Sequence, residues 1–353
     1  MVVGRRILIT GGNIGIGFEA ARQLLQRGHH VVITCRDAAK AQKAVDALSP
    51  VAKANGASVE SALLDLSSFS SVRRGAAQLL SRHPKLDVLL CNAGVWSRDA
   101  GSTPLERTED GQEVTLQVNH LGHFLLVHLM LPALLAAPAA RVVVVSSELH
   151  RSATGAAASG AAASGGPPPL ASPAWLTLLS AAGGGAAAAT PSAPPRPTGF
   201  QMYCISKLYN LWFAYHLAAL LPPTVKVNAV TPGWVPGTTL GRDMPWLARM
   251  AYQYLFPLLP GTTSVPEGGR RVVEVCVGEA EGEVTGAYFS RGARAESSPE
   301  SHNRAAAEEL WRLSEAAAGL QGPYVPTALP GAVTTGPATP PRAEGAAANA
   351  EGS

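Results

Sequence analysis

Short apolar runs alternate with helix-patterned segments from Arg6 to Val230, and the first run breaks on glycines, Thr10-Gly-Gly-Asn-Ile-Gly-Ile-Gly17. No other feature restricts the fold as strongly. Strands are expected at Arg6–Thr10, His30–Cys35, Ser58–Leu64, Leu86–Cys91, Arg141–Val145 and Lys226–Val230. Their apolar character is nearly continuous, as in strands covered on both faces. Helices are expected between them: one carrying Ile16, Phe18, Ala21, Leu24 and Leu25 with Gly28 as its cap, then Ala38–Leu48, Ser68–Arg82, Thr115–Leu135 and Gln201–Leu221. Strand–helix alternation of this kind predicts an α/β fold, a single Rossmann-type doubly wound parallel sheet with helices on both faces. Right-handed crossovers then put ligands at the carboxyl ends of the strands. Gly11, Asn92 and Ser147 all fall just beyond strand ends.

Past the sixth strand, a helix is expected at Pro266–Val277, a last short strand at Gly286–Phe289 and a terminal helix at Asn303–Ala317. Residues 151–198 are mostly Ala, Gly, Ser and Pro. Such a segment buries too little apolar area to offset its ordering entropy, so it reads as a mobile low-complexity insert. An island within it, Ala174-Trp-Leu-Thr-Leu-Leu179, is apolar enough to dock on the body. One catalytic domain over 1–320 is expected, with 321–353 as a disordered Pro/Ala/Gly-rich tail.

Apolar residues make up 46% of the 353, enough for a sizeable core, and the formal charge is only +3. No basic stripe interleaves with aromatics, which argues against nucleic acid as a partner. Cys35, Cys91, Cys204 and Cys276 are widely spaced among apolar neighbours, so buried free thiols in a reducing compartment are expected. No His/Cys pair has zinc-like spacing, and no metal is expected. Val2 to Leu8 is too short and interrupted for a signal peptide's apolar region. Leu121–Ala137 is broken by His123 and His128 and reads as a buried helix, not a membrane span. A cytoplasmic protein is the default, with peripheral membrane contact left open.

The glycine turn points to a pyrophosphate. Glycines let the backbone turn sharply and approach the phosphates, and the helix that follows offers free N–H groups and a partial positive charge. Gly11, Asn13, Gly15, Ile16 and Gly17 are the candidate contacts. Arg36 follows the second strand, where a dinucleotide's adenosine ribose lies. Cys35 stands where an acidic residue would bond a 2′-hydroxyl, and a guanidinium suits a 2′-phosphate. NADP(H) is therefore expected over NAD(H). An ordinary surface arginine paired with Asp37 is the plainer reading of Arg36.

Tyr203 and Lys207 stand at i and i+4 on a predicted helix and share a face. A phenol is a poor base at neutral pH, but a nearby ammonium favours its phenolate. Tyrosine can then give a proton to a carbonyl oxygen or take one from an alcohol. Ser147, with Ser146 as its rival, can hold the substrate oxygen. Asn119 sits among Leu116, Val118 and Leu121, where it could bind a proton-relaying water or serve only helix packing. His120, His123 and His128 fall largely on different faces and read as core residues.

These residues resemble the short-chain dehydrogenase/reductase family from about Arg5 to Leu320, apart from the insert. Thr10–Gly17 resembles its cofactor turn, and Cys91-Asn92-Ala93-Gly94 its segment beside the adenine. Asp65-Leu66 is similar to its adenine-side pair. Asn119, Ser147, Tyr203 and Lys207 are similar to its catalytic tetrad. Pro232-Gly233 followed by Thr238 resembles the segment that meets the nicotinamide carboxamide, with Thr239 as a rival. Thr34–Asp37, Gln117–Leu125 and Tyr203–Leu208 look most like retinol-dehydrogenase-like and protochlorophyllide-reductase-like members. The resemblance implies an NADP(H)-dependent oxidoreductase acting on a small apolar carbonyl or alcohol, with a homo-oligomer left open. Met244–Phe256 would cover that substrate. Two rivals remain: a cofactor-binding scaffold or sensor without turnover, and a light-driven ring reductase. The long Ser147-to-Tyr203 interval departs from the family pattern.

Overall fold

The computed structural model describes residues 4–96, 106–154, 171–178, 180, 197–236, 250, 256 and 259–320. These residues belong to one compact unit, Met1–Gln321. Eight strands form one sheet in the order β3-β2-β1-β4-β5-β6-β7-β8. They are β1 Arg6–Thr10, β2 His30–Cys35, β3 Val59–Leu63, β4 Val88–Cys91, β5 Ala140–Val145, β6 Val225–Val230, β7 Ala287–Ser290 and β8 Ala293–Ala295. Every pairing is parallel except the last, β7 with β8. The order reverses between β1 and β4, and a crevice opens at such a switch point.

Alternate strand residues build separate cores on the two faces. Ile7, Ile9, Val31, Ile33, Val88, Leu90, Val143 and Val145 pack under α1 (Gly15–Gln26), α2 (Ala38–Ala54) and the helix Val265–Val277. α3 (Phe69–Arg82) packs on α4 (Val114–Leu135), and α5 (Gly199–Leu220) packs on the terminal helix. Counting on from α5, Val265–Val277 is α6 and Arg304–Ala317 is α7. Their core joins Leu116, Leu121, Ile205, Leu208 and Trp212 to Leu310. Each such fully buried aliphatic side chain contributes about 1.5–3 kcal/mol.

Three expectations need correction, and the long helix α4 holds a turn the sequence did not foresee. α2 does not stop at Leu48 but runs on through Pro50 to Ala54. Asp37 caps its start by accepting from Lys40 N, and burial of Ala52 draws the last turns onto the core. β3 is not continuously apolar; its VESAL is largely half-exposed because it is an edge strand. β7 is not the last strand, since Arg291 (φ 54) and Gly292 (φ 83) turn the chain back into β8. α4 is not a uniform α-helix, because Gln117–Leu121 is a π turn with Gly122 N donating to Gln117 O.

α4 is the one described helix long and apolar enough to cross a membrane, and 83% of its most apolar stretch is buried inside the fold. From the 151–198 segment, Trp175 and Leu176 form a short helix, Trp175–Leu178, and pack into the core with Tyr209 and Leu310. Residues 155–170, 179 and 181–196 of that segment, and those from 321 on, lie outside the described residues.

Candidate active site

At the switch point, β1 delivers Thr10 into a knot of hydrogen bonds. Its Oγ1 accepts from Asn92 N at 2.9 Å and Ala93 N at 3.0 Å. Asn92 Nδ2 donates back to Thr10 O at 2.9 Å and Gly11 O at 3.4 Å. The glycine turn and Asn92-Ala93-Gly94 are thereby locked together. Gly11 has φ 64, a region that favours glycine. At Gly17 a Cβ would lie 2.5 Å from both Asn92 Nδ2 and Gly11 O, so only glycine allows the approach. Asn13 and Ile16 are half-buried on the same turn.

α1 differs from its neighbours at its start. α2, α3, α5, α6 and α7 are capped by the side chains of Asp37, Ser68, Thr198, Ser264 and Asn303. α1 begins after Ile14 with no side-chain cap and no acidic residue in its first turn. Its leading N–H groups and dipole suit an anion arriving from outside the chain. A dinucleotide's pyrophosphate fits this donor set.

Around the rim, Arg36 is exposed just past β2. The plainer pairing of Arg36 with Asp37 is not what Asp37 does. Asp37 caps α2 and lies 3.6 Å from Lys40 Nζ, and the Lys40 backbone N–H holds its carboxyl below the usual range. Asp65 accepts from Ser67 N and Ser67 Oγ, which fixes the loop after β3. Leu66 is buried against Gly122, where a Cβ would lie 2.5 Å from Leu66 O. Beyond β6, Gly233 (φ 97) sits where a Cβ would meet Thr263 Oγ1 and Arg271 Nη1. Arg271 Nη1 donates to Pro232 O at 3.2 Å and so braces this segment. Thr238 and Thr239, and Met244–Phe256 apart from Met250 and Phe256, lie outside the described residues.

The Tyr–Lys helix, α5, starts with a capping box between Thr198 and Gln201. It brings Lys207 under the sheet end, 3% exposed, with Nζ donating to Val145 O at 3.1 Å. Nζ also lies 5.4 Å from the Tyr203 ring centroid. Burial lowers the Lys207 pKa to about 8. An ammonium can donate three hydrogen bonds, and this one spends one on a described residue. The remaining donors suit a ribose diol.

Asn119 lies in the π turn and is fully buried. Its Oδ1 accepts from Val95 N at 2.8 Å, and its Nδ2 donates to Val95 O and to Ser206 Oγ, each at 2.9 Å. A Cβ placed on Gly94 would lie 3.4 Å from Asn119 Oδ1 and 3.6 Å from Lys207 Nζ. One small residue thus neighbours both polar ends. After β5, the serines separate as strand alternation requires. Ser146 is buried and donates to Lys207 O at 2.8 Å, while Ser147 stays half-buried and accepts from Leu149 N at 3.3 Å.

Trp96 was not marked by the sequence pattern. Its ring lies 5.9 Å from Tyr203 and 5.7 Å from Phe200. Trp234, 6.0 Å from Phe256, is another exposed aromatic of this end. Ser206 was also missed, while Thr10 was read only as part of the glycine turn and His123 only as a core residue, which its burial bears out. A buried polar residue at a strand end was the available signal for Thr10. His120 and His123 are buried, which lowers their pKa values to about 3 and about 4. Among the described residues no His/Cys/Asp/Glu cluster could hold a metal, and all four cysteines are buried free thiols.

Comparison with known proteins fits this geometry. Residues 5–165 match the family profile described as short chain dehydrogenase. The chain is 33% identical over 334 residues to retinol dehydrogenase 14 of Mus musculus, covering 90% of this chain and 86% of that one. It is 36% identical over 313 residues to the WW domain-containing oxidoreductase of Danio rerio, covering 88% of this chain and 67% of that one. In fold it is similar to a 3-ketoacyl-(acyl-carrier-protein) reductase from Brucella melitensis complexed with NADH. That likeness has a TM-score of 0.58 at 19% identity, over 84% of this chain and all of the other.

Proposed function

The chain belongs to the short-chain dehydrogenase/reductase family, and from that premise we propose an NADP(H)-dependent oxidoreductase that interconverts an apolar carbonyl and its alcohol. The observation that carries the proposal is the Lys207 ammonium. It is buried, donates one hydrogen bond among the described residues, lies 5.4 Å from the Tyr203 ring centroid, and shares Gly94 as a neighbour with Asn119 at the carboxyl ends of the strands. Burying a charge is costly unless it is paired and hydrogen-bonded, and groups perturbed in this way concentrate at functional sites.

The bound nicotinamide would supply the hydride in reduction and accept it in oxidation. Tyr203 gives its hydroxyl proton to the substrate oxygen as the carbonyl becomes an alcohol, and takes that proton in the reverse direction. Lys207 stabilises the resulting phenolate by charge and directs its free N–H groups to the ribose hydroxyls. Ser147 donates to the substrate oxygen and fixes its distance from Tyr203. Asn119 supports the route by which solvent restores the proton. Gly11, Asn13, Gly15, Ile16 and Gly17 receive the pyrophosphate, and Asp65, Leu66, Asn92, Ala93 and Gly94 flank the adenine side. Pro232, Gly233 and Thr238 are the proposed contacts of the carboxamide.

Trp96, Phe200 and Trp234 support an apolar substrate of the retinoid, steroid or lipid-aldehyde kind. Buried free thiols suit a reducing compartment, so we place the protein in the cytoplasm. Arg36, exposed and free of Asp37, is the proposed reader of a 2′-phosphate. The test is a cofactor-resolved activity screen over retinoids, steroids and aliphatic aldehydes. A charge-assisted contact is worth about 1.5–3 kcal/mol, so Arg36→Ala should raise the KM for NADPH by about 10- to 150-fold. The KM for NADH should change little. Equal losses for both cofactors would remove Arg36 as the discriminator, and no turnover with any carbonyl would remove the enzyme reading.

A further inference from the structure

His123 lies on α4, outside the tetrad, yet its ring joins the cofactor turn to Asn119. Nε2 is 2.8 Å from Thr10 Oγ1, and Nδ1 is 3.2 Å from Asn119 O. The proton positions follow from counting donors. A threonine hydroxyl has one proton and two lone pairs. Thr10 Oγ1 already accepts from Asn92 N and Ala93 N, so it can only donate to its remaining neighbours. His123 Nε2 is much closer than the alternative acceptor, Leu90 O at 3.4 Å. Nε2 is therefore unprotonated, and the ring proton sits on Nδ1, facing the Asn119 carbonyl. Burial keeps the ring neutral, and the Lys207 charge acts in the same direction.

The partners on either side give this link its meaning. Thr10 ties the glycine turn to Asn92 and Ala93. The Asn119 amide holds Val95 and Ser206, and Ser206 Oγ donates to Tyr203 O. One neutral imidazole spans these two groups at the π turn, where the backbone ladder changes register.

We infer that His123 is a positioning residue that, as the Nδ1–H tautomer, sets Asn119 against the Tyr–Lys pair and couples that setting to the cofactor turn. This role rests on the oxidoreductase reading above. Asparagine at this position places an amide N–H near Nδ1 and keeps the link to Asn119, but leaves Thr10. Glutamine reaches toward Nε2, keeps Thr10, and leaves Asn119. His123→Asn should hold kcat within about threefold while weakening cofactor binding severalfold. His123→Gln should lower kcat about tenfold or more with cofactor affinity nearly unchanged, as displacement near a reacting centre does.

Ring 15N resonances of the wild-type protein give a readout independent of turnover. They should report a neutral Nδ1–H ring at pH 7. A ring protonated at Nε2, or charged at pH 7, would overturn the inference while leaving the parent reading intact. So would variants whose kcat and cofactor affinity move in parallel or not at all. A wild type without turnover on any carbonyl would instead overturn the parent reading, and this role with it.

Discussion

On the proposed mechanism, Lys207 is the residue at which stability and function oppose each other. Its folded pKa of about 8 lies below the value near 10.4 of a free lysine. Between those values the unfolded chain binds a proton that the folded one has released. Stability therefore rises as pH climbs from about 8 to about 10.4, and below 8 the folded state bears the whole cost. At 1.36 kcal/mol per pH unit that cost is about 3 kcal/mol. We predict that Lys207→Met raises the melting temperature of the cofactor-free protein at pH 7 by a few degrees and abolishes turnover. Val145 O would not be stranded, because Asn210 Nδ2 also donates to it at 3.1 Å. Thermal unfolding checks this, and a lower melting temperature would show that the lysine stabilises the fold. At this scale the sequence displayed chemistry but not surroundings. The spacing of Tyr203 and Lys207 was readable. Trp96 beside Tyr203, and His123 between Thr10 and Asn119, depend on contacts that no local pattern encodes.

Among the elements, α4 carries the clearest lesson. Its existence was legible from a long apolar run, and Glu113 caps it by accepting from Leu116 N at 2.8 Å. The π turn was not legible. In a helix buried on nearly every side, a one-residue shift in register leaves no polar stripe to reveal it. Gly122 follows that turn and sits against the loop after β3. Helix propensity alone would favour Gly122→Ala by about 1 kcal/mol. A methyl group there would lie 2.5 Å from Leu66 O and 2.9 Å from Leu66 Cβ, and backbone cannot easily yield. We predict a net destabilisation of about 1–3 kcal/mol, read as a shifted urea midpoint. An unchanged or stabilised protein would mean that α4 and the β3 loop are free to separate. The overrun of α2 past Leu48 has a similar cause, since tertiary burial of Ala52 outweighed the proline signal at Pro50.

For the molecule as a whole, strand–helix alternation made the parallel sheet readable before any contact was known. The strand missed, β8, is three residues long and enters through a turn with positive φ at Arg291, where sequence gives little warning. Sheet topology gathers residues far apart in sequence: Thr10 and Gly11 from β1, Asn92 from β4, Asn119 from α4, and Tyr203 and Lys207 from α5. The account depends on that assembly moving a proton through Tyr203. The most direct measurement is carbonyl-dependent oxidation of NADPH by the wild type and by Tyr203→Phe, with cofactor binding measured in parallel. Loss of general acid catalysis should lower turnover at least about a hundredfold while NADPH affinity stays nearly constant. A phenylalanine variant that keeps most of the wild-type rate would contradict it.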